Sequence, residues 1–387
     1  MNWEHCRRKG FSLLRLVSFL AWCATPMLAQ AHLVAARSGT LNLAGTGAFL
    51  VLSLPTSALR GADDDGDGRL SRDEVLGNAA VISSQLKAGV QLLGRNGPLP
   101  LSLLMVDVVP SESAPAAVVN DLTVLGRFQL PAAVDGVGSL TDALPGGLTL
   151  RFDLFGMNAD GRPQYFTISR GTEAQWLRFT PELTAHVLLP GTMEVLAEYV
   201  DAGAAHVLAG FDHLLFLLVV LGAGWSWRGL LGALTCFTAS HALTLVASLL
   251  GGWSVPASVV EPAIAATIVV MAAIDLWGRS PSRSASPRVR MALVFICAMV
   301  HGLGFAGALT GLTQWPPGSK SFLWALGGFN LGIEFGQIGV AGVASLLVWA
   351  LHQFLGSGVL GRTSHFATLA AMATGTFWFF QRVLDLT

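Results

Sequence analysis

The residues best equipped for chemistry are His206, Asp212 and His213, and they stand in an unexpected place. They lie within residues 202–222, AGAAHVLAGFDHLLFLLVVLG, a run apolar and long enough to cross a bilayer, which takes about 20 residues. Ionisable groups at membrane depth are costly and mark function by default. Imidazole and carboxylate together ligate transition metals or relay protons near neutral pH. His206 and His213 are seven residues apart, so on a continuous helix they face nearly the same way, with Asp212 on the neighbouring face. The plainer alternative is a His–Asp pair that only joins helices.

The plainer alternative weakens because later apolar segments bring more groups of the same kind. His241 sits in FTASHALTL, Glu261 in VVEPAIAATI, His301 in AMVHGLGFAG, and Asn330 and Glu334 in FNLGIEFGQ. The chain reads as six spans, near 202–223, 228–250, 257–276, 290–311, 322–350 and 364–383. With the start of the first span outside, Arg228, Arg279, Arg283, Arg288, Arg290 and Arg362 fall in inside loops and only Lys320 in an outside loop, the positive-inside pattern. Trp225, Trp253, Trp277 and Trp315 stand near span ends, as interfacial anchors do. At 1.5 Å per residue the polar side chains share a layer roughly 5–18 Å below the outer surface. Gly328, Gly332 and Gly336, like Gly307 and Gly311, recur every four residues, a spacing that lets helices approach closely.

Composition agrees with a membrane protein carrying a water-soluble part. Of 387 residues 52% are hydrophobic and 12% charged, with mean hydropathy +0.59, against about 25% charged in soluble domains. A net charge of −1 offers no basic footprint for nucleic acid. Arg7, Arg8 and Lys9, an apolar run over 16–24, and Ala29-Gln30-Ala31 make residues 1–31 a signal peptide. Cleavage there would leave His32 as the mature N-terminus, whose amine and imidazole make it a further candidate metal ligand. The fold expected is a six-helix α-helical transmembrane bundle over 191–387, preceded by an exported β-rich, sandwich-like domain over 32–190. The soluble part has no cysteine, so neither disulfides nor thiolate zinc sites organise it.

In that domain TLNL, AFLVLSL, LPLSLLMVDVV, LTVLGRFQL, LTLRFDLF and QYFTIS read as short antiparallel strands between turn clusters. One helix is expected over 71–93, where Val75, Ala79, Ile82 and Leu86 hold helical spacing. Just before it, residues 63–74 read DDDGDGRLSRDE: Asp63, Asp65 and Asp67 stand at positions 1, 3 and 5, Gly68 at 6, Arg69 at 7, Ser71 at 9 and Glu74 at 12. This is the EF-hand calcium spacing. Alternate carboxylates converge on a hard cation, Gly68 permits the turn, Arg69 offers its carbonyl and Glu74 both its oxygens. A lone exported loop of this kind would be structural and weak, nearer ~10⁻⁴ M than a sensor's affinity. Between domain and first span, GTMEVLAEYVDAG reads as an interfacial helix.

Across 199–342 the ordered motifs AGAAHVLAGFDHLLFLL, FTASHALTL, VEPAIAATI, HGLGFAG and FNLGIEFGQ resemble the HupE/UreJ family of membrane proteins, usually described as nickel permeases. The resemblance implies His206, Asp212, His213, His241, Glu261, His301 and Glu334 as metal contacts. It implies a permease for a divalent transition metal, nickel or cobalt, in the cell (inner) membrane with the N-terminal domain on the periplasmic or extracellular side. It is therefore expected not to be an enzyme. Two other functions fit the same residues: an intramembrane zinc-dependent hydrolase, in which three imidazoles and a carboxylate activate water, and a metal-sensing or metal-binding membrane module. The partners expected are the metal ion, the lipid bilayer, and a second copy of the chain or an exported protein.

Overall fold

A computed structural model describes residues 37–66, 70–110, 119–131, 133–135, 143–144, 147–155, 163–251, 255–278, 286–306, 314–355 and 357–384. Residues 1–31, expected to be a signal peptide, and His32, Asp67, Gly68, Arg69, Gly307 and Gly311 lie outside them. The N-terminal part is β-rich. Its strands are β1 (Ser38–Ala44), β2 (Gly47–Pro55), β3 (Val90–Gly94), β4 (Gly97–Pro98), β5 (Leu101–Pro110), β6 (Val119–Gln129), β7 (Leu148–Phe152), β8 (Gln164–Arg170), β9 (Glu173–Phe179) and β10 (Ala185–Leu188). They form a six-stranded sheet ordered β5-β6-β2-β1-β8-β9 and a four-stranded sheet ordered β10-β7-β3-β4.

Alternation explains the sandwich. Leu41 and Leu43 on β1 and Leu50, Leu52 and Leu54 on β2 are buried, as one face of a period-two pattern should be. Phe152 from the smaller sheet meets Phe166 and Phe179 from the larger, with ring centroids 5.4 and 5.9 Å apart. Truncating such a core ring costs about 3–5 kcal/mol, so this trio is a main bond between the sheets. All six expected strands are present. One departure is that β1 pairs with β8 in parallel, whereas only antiparallel pairing was expected.

The helix expected over 71–93 is divided. Helix α1 (Arg72–Gly77) and helix α2 (Ala79–Gly89) flank Asn78, and 90–94 are strand β3. The Asn78 amide donates to Ala62 O at 3.3 Å and to Asp64 Oδ2 at 2.9 Å. It ties the acidic loop to the break, and its backbone is not helical, at φ −100°, ψ 18°. Beyond Gly89, Val90 and Leu92 alternate into the core and pair with Phe152 and Leu150. Their cross-strand partners decide the conformation there, as packing often overrides helical spacing.

The C-terminal part is helical: α3 (Thr192–Ala209), α4 (Phe211–Gly222), α5 (Trp227–Gly251), α6 (Ala257–Gly278), α7 (Pro287–Ala306), α8 (Lys320–Leu355) and α9 (Ser357–Leu384). Among the described residues four helices are long and apolar enough to cross a membrane, α5, α6, α7 and α8, and the α3–α4 pair makes a fifth if counted as one broken span. Helix α9, where the sixth span is expected, is not among them.

The first span is not the continuous helix expected over 202–223. α3 and α4 meet at 75° across Gly210. Helix α3 instead takes in the segment read as an interfacial helix and runs on through His206. Gly210 adopts φ −83°, ψ 95°, and a Cβ there would lie 2.5 Å from His213 Nδ1 and 2.9 Å from His206 O. Only a residue without a side chain lets the chain turn so tightly at this point.

The two parts share one core. Strand leucines and the buried Val195, Tyr199, Trp315, Phe322 and Phe329 belong to a single cluster of contacting apolar side chains. A polar strap reinforces it. Gln175 on β9 accepts from Leu189 N at 2.8 Å, and its amide donates to Gln314 Oε1 at 3.3 Å. Gln314 in turn donates to the Tyr199 hydroxyl at 3.0 Å.

Candidate metal centre

Four helices deliver one imidazole each: His206 from α3, His213 from α4, His241 from α5 and His301 from α7. Ring centroids are 4.6 Å apart for His206–His213, 5.9 Å for His206–His241, 6.4 Å for His213–His241 and 5.2 Å for His213–His301. His206, His213 and His241 each offer a ring nitrogen within 4.8 Å of the other two. The bend at Gly210 places the first two. It turns α4 so that His213 faces back towards His206.

The cluster is framed by aromatic rings, and two of its imidazoles are fully buried. His241 and His301 are 0% and 1% exposed. Phe216 and Phe237 stand 5.2 and 5.5 Å from the His301 ring, and Phe329 stands 5.7 Å from His206. Among the described residues, both ring nitrogens of His213 and Nε2 of His301 are buried with no hydrogen-bond partner. Such orphaned groups are uncommon and call for an explanation. His301 shows its tautomer: Nδ1 lies 2.9 Å from Cys297 O, a carbonyl only accepts, so Nδ1 carries the proton and Nε2 keeps its lone pair. A buried imidazole held by its second nitrogen, with the first free to donate electrons, is the arrangement a metal ligand needs.

The oxygen ligands expected from the sequence are placed differently. Asp212 does not join the three grouped imidazoles. Arg382 of α9 grips it as a fork, Nη1 to Oδ1 at 3.1 Å and Nη2 to Oδ2 at 2.9 Å. The same guanidinium donates to the Glu261 carbonyl at 3.0 Å, and the Glu261 side chain is exposed. Glu334 accepts from Thr235 Oγ1 at 2.7 Å. The Asn330 amide nitrogen donates to Leu326 O at 2.7 Å in its own helix, while Oδ1 is buried with no hydrogen-bond partner among the described residues.

Close helix approach holds the site together. Helices α3 and α8 run side by side in parallel, and a Cβ at Gly332 would overlap the Val200 carbonyl, as one at Gly203 would overlap that of Phe329. Small residues at this spacing are what permit such contact between membrane helices. Beyond His213 a cavity of about 10 Å³ is lined by apolar side chains of α4 and α5 and by Gln337 of α8, and Thr238 Oγ1 donates to Gln337 Oε1 at 3.4 Å.

Arg382, the phenylalanine frame and the Thr235 and Thr238 contacts were not legible as site features. Arg382 alone gives a signal, as the one charge in TFWFFQRVL.

In the N-terminal part, Asp63, Asp65 and Glu74 form a second group, each with a carboxylate oxygen within 4.8 Å of the others. Glu74 accepts from Asp64 N at 2.8 Å through Oε1 and from Ser71 N and Oγ, both at 2.8 Å, through Oε2. These bonds hold its pKa down, to about 2 from an ordinary 4.5, the backbone and hydroxyl of Ser71 acting most strongly. Asp67 and Arg69 of the expected loop lie outside the described residues.

A membrane protein whose apolar helices converge on a buried imidazole cluster is the class that fold and site define. The family model described as HupE / UreJ protein matches residues 183–382, more than half of the chain, and the chain belongs to that family. No curated relative matches it.

Proposed function

We propose that the protein is a permease for a divalent transition-metal ion, nickel or cobalt, with His206, His213 and His241 as its principal ligands and His301 beside them. The observation that carries this reading is the convergence of three imidazoles from three helices on one point. Neutral imidazoles suit nickel, cobalt and zinc, whereas calcium and magnesium prefer oxygen. The two orphaned nitrogens of His213 would find in a metal ion, or a water it carries, the partner that burial denies them. Membership of the HupE/UreJ family supports the same reading. Asp212, Glu261, Asn330 and Glu334 would serve the ion's passage rather than the resting ligand set. The N-terminal domain would lie on the periplasmic or extracellular side of the inner membrane, with His32 a further ligand there. A second copy of the chain, or an exported partner, completes the proposal.

The hydrolase alternative needs a substrate beside the metal. The cavity adjoining His213 is about 10 Å³, roughly the space that admits one water, which suits an ion or its water and not an organic molecule. We therefore take the protein to be a transporter rather than an enzyme. For the acidic loop we propose a structural calcium ion held by Asp63, Asp65 and Glu74, with Asp67, Arg69 and Ser71 completing the set. The three carboxylates converge and the donor set is all oxygen, as calcium prefers.

The test is uptake of radiolabelled nickel by cells lacking other nickel importers, with cobalt, zinc and copper as competitors. The intact protein should take up nickel, and His213→Ala and His241→Ala should fall to background at equal membrane insertion. Unchanged uptake in both variants would overturn the permease reading.

A further inference from the structure

Arg382 is the one guanidinium the described structure aims at the residues of the proposed metal route. It reaches them from 170 positions away in sequence, with a bidentate grip on Asp212. It also donates to the Glu261 carbonyl and lies over the Trp378 ring, 5.5 Å from its centroid. Two carboxylate residues proposed to serve the ion's passage are thus attached to one cation, Asp212 by its side chain and Glu261 by its backbone. Asp212 and Arg382 are each only about one-fifth exposed, at 22% and 23%. An isolated carboxylate in that setting would be expensive, and an ion pair with two hydrogen bonds offsets much of the cost.

We propose that Arg382 is a resident counter-ion and positioning residue of the transport site. It holds Asp212 while the site is empty and yields it when a divalent cation arrives. This inference rests on the permease reading and adds a specificity device to it. His301, beside the grouped imidazoles, interacts electrostatically with both Asp212 and Arg382, so an ion bound by the imidazoles is within reach of the pair's field. The arriving dication is repelled by the guanidinium and attracted by the carboxylate. The two forces oppose one another while the pair stays closed, and the balance favours the ion once Asp212 turns. A monovalent cation brings half the charge to that exchange, so the pair discriminates by valence. No bond is made or broken: the step is an exchange of one carboxylate between two cations. The planar fork matters, because lysine cannot reproduce two parallel bonds to one carboxylate together with a third to a carbonyl.

The experiment uses the full-length protein in nanodiscs. Nickel binding is measured by equilibrium dialysis, alongside infrared difference spectra on adding nickel to wild-type protein carrying isotope-labelled arginine. The proposal predicts that Arg382→Gln binds nickel about ten-fold more tightly than wild type at the same stoichiometry, because one repelling charge has gone. It also predicts a nickel-dependent shift of a guanidinium band that is absent from Asp212→Asn. A purely structural arginine would give weaker binding in Arg382→Gln and a guanidinium spectrum that nickel leaves unchanged, and either result overturns the proposal. If Arg382→Gln does not fold, the wild-type infrared spectrum decides alone. Wild-type protein that binds no nickel, cobalt or zinc would overturn the permease reading and this inference with it. Wild-type binding with a silent guanidinium overturns only the inference.

Discussion

His241 shows what a buried imidazole contributes that an aromatic ring of similar shape cannot. It is wholly buried, nearly parallel to Phe237 with centroids 6.3 Å apart, and near Phe329 at 6.4 Å. A His241→Phe variant adds volume to a packed site, so it should insert and remain folded at a cost of about 1–3 kcal/mol, yet lose stoichiometric nickel. Metal analysis of the purified variant checks this; full metal content would exclude His241 as a ligand. At this scale the sequence was readable wherever cost betrayed function. A histidine in an apolar run has few innocent explanations, and the four that meet were all identified from that argument. Asp212 is singled out by the same reasoning, and its pairing with Arg382 is what that reasoning does not reach. Its arginine is remote in the chain, and spacing along one helix carries no information about a partner on another.

Helices and strands set the second scale. Gly332 and Gly203 let α3 and α8 touch along their backbones, and α3 carries His206. Gly332→Val should separate them and destabilise the protein by about 1–3 kcal/mol, read as a lowered thermal midpoint together with reduced nickel affinity; an unchanged midpoint would refute the close contact. The acidic loop makes a separate prediction from Glu74. Its folded pKa of about 2 lies below the ordinary 4.5, so the unfolded chain binds the proton more readily. Its contribution to stability is complete above about pH 4.5 and is lost as pH falls towards 2. Tryptophan-monitored melting of the full chain should show that decline, and Glu74→Gln should flatten it. Millimolar calcium should raise the midpoint of wild type and not of Glu74→Gln. No calcium effect on wild type would dispose of the structural ion.

Sequence periodicity found elements better than it found their breaks. The apolar run through 202–222 gives no hint that Gly210 turns the chain by 75°, because one glycine inside a helical pattern is ordinarily tolerated. Strand β10 has four residues, too few for alternation to be recognised. Strand β9, EAQWLRF, was passed over although its buried pattern alternates over Gln175, Leu177 and Phe179. β3 falls within the expected helix because Val90 continues the helical series from Leu86 and equally begins an alternation with Leu92, until their partners on β7 are known.

At the scale of the whole molecule, the β-rich part and the helices are not two beads on a string. Their apolar core is continuous, and the strap from Gln175 through Gln314 to Tyr199 crosses from sheet to helices. Thermal unfolding should accordingly show Trp176 and Trp315 reporting one shared transition. Gln175→Ala leaves Leu189 N without its acceptor and should destabilise that transition by about 1–3 kcal/mol. Two separate transitions in wild type would contradict the shared core. Nothing in sequence order announces this coupling, since the linking side chains come from three distant segments.

The central claim is that imidazoles from separate helices hold the transported ion. X-ray absorption at the nickel edge of nickel-loaded, full-length protein tests it most directly. The account predicts multiple scattering from three imidazoles, falling to two in His213→Ala. A shell of oxygen ligands alone, or a spectrum that His213→Ala leaves unchanged, would contradict it.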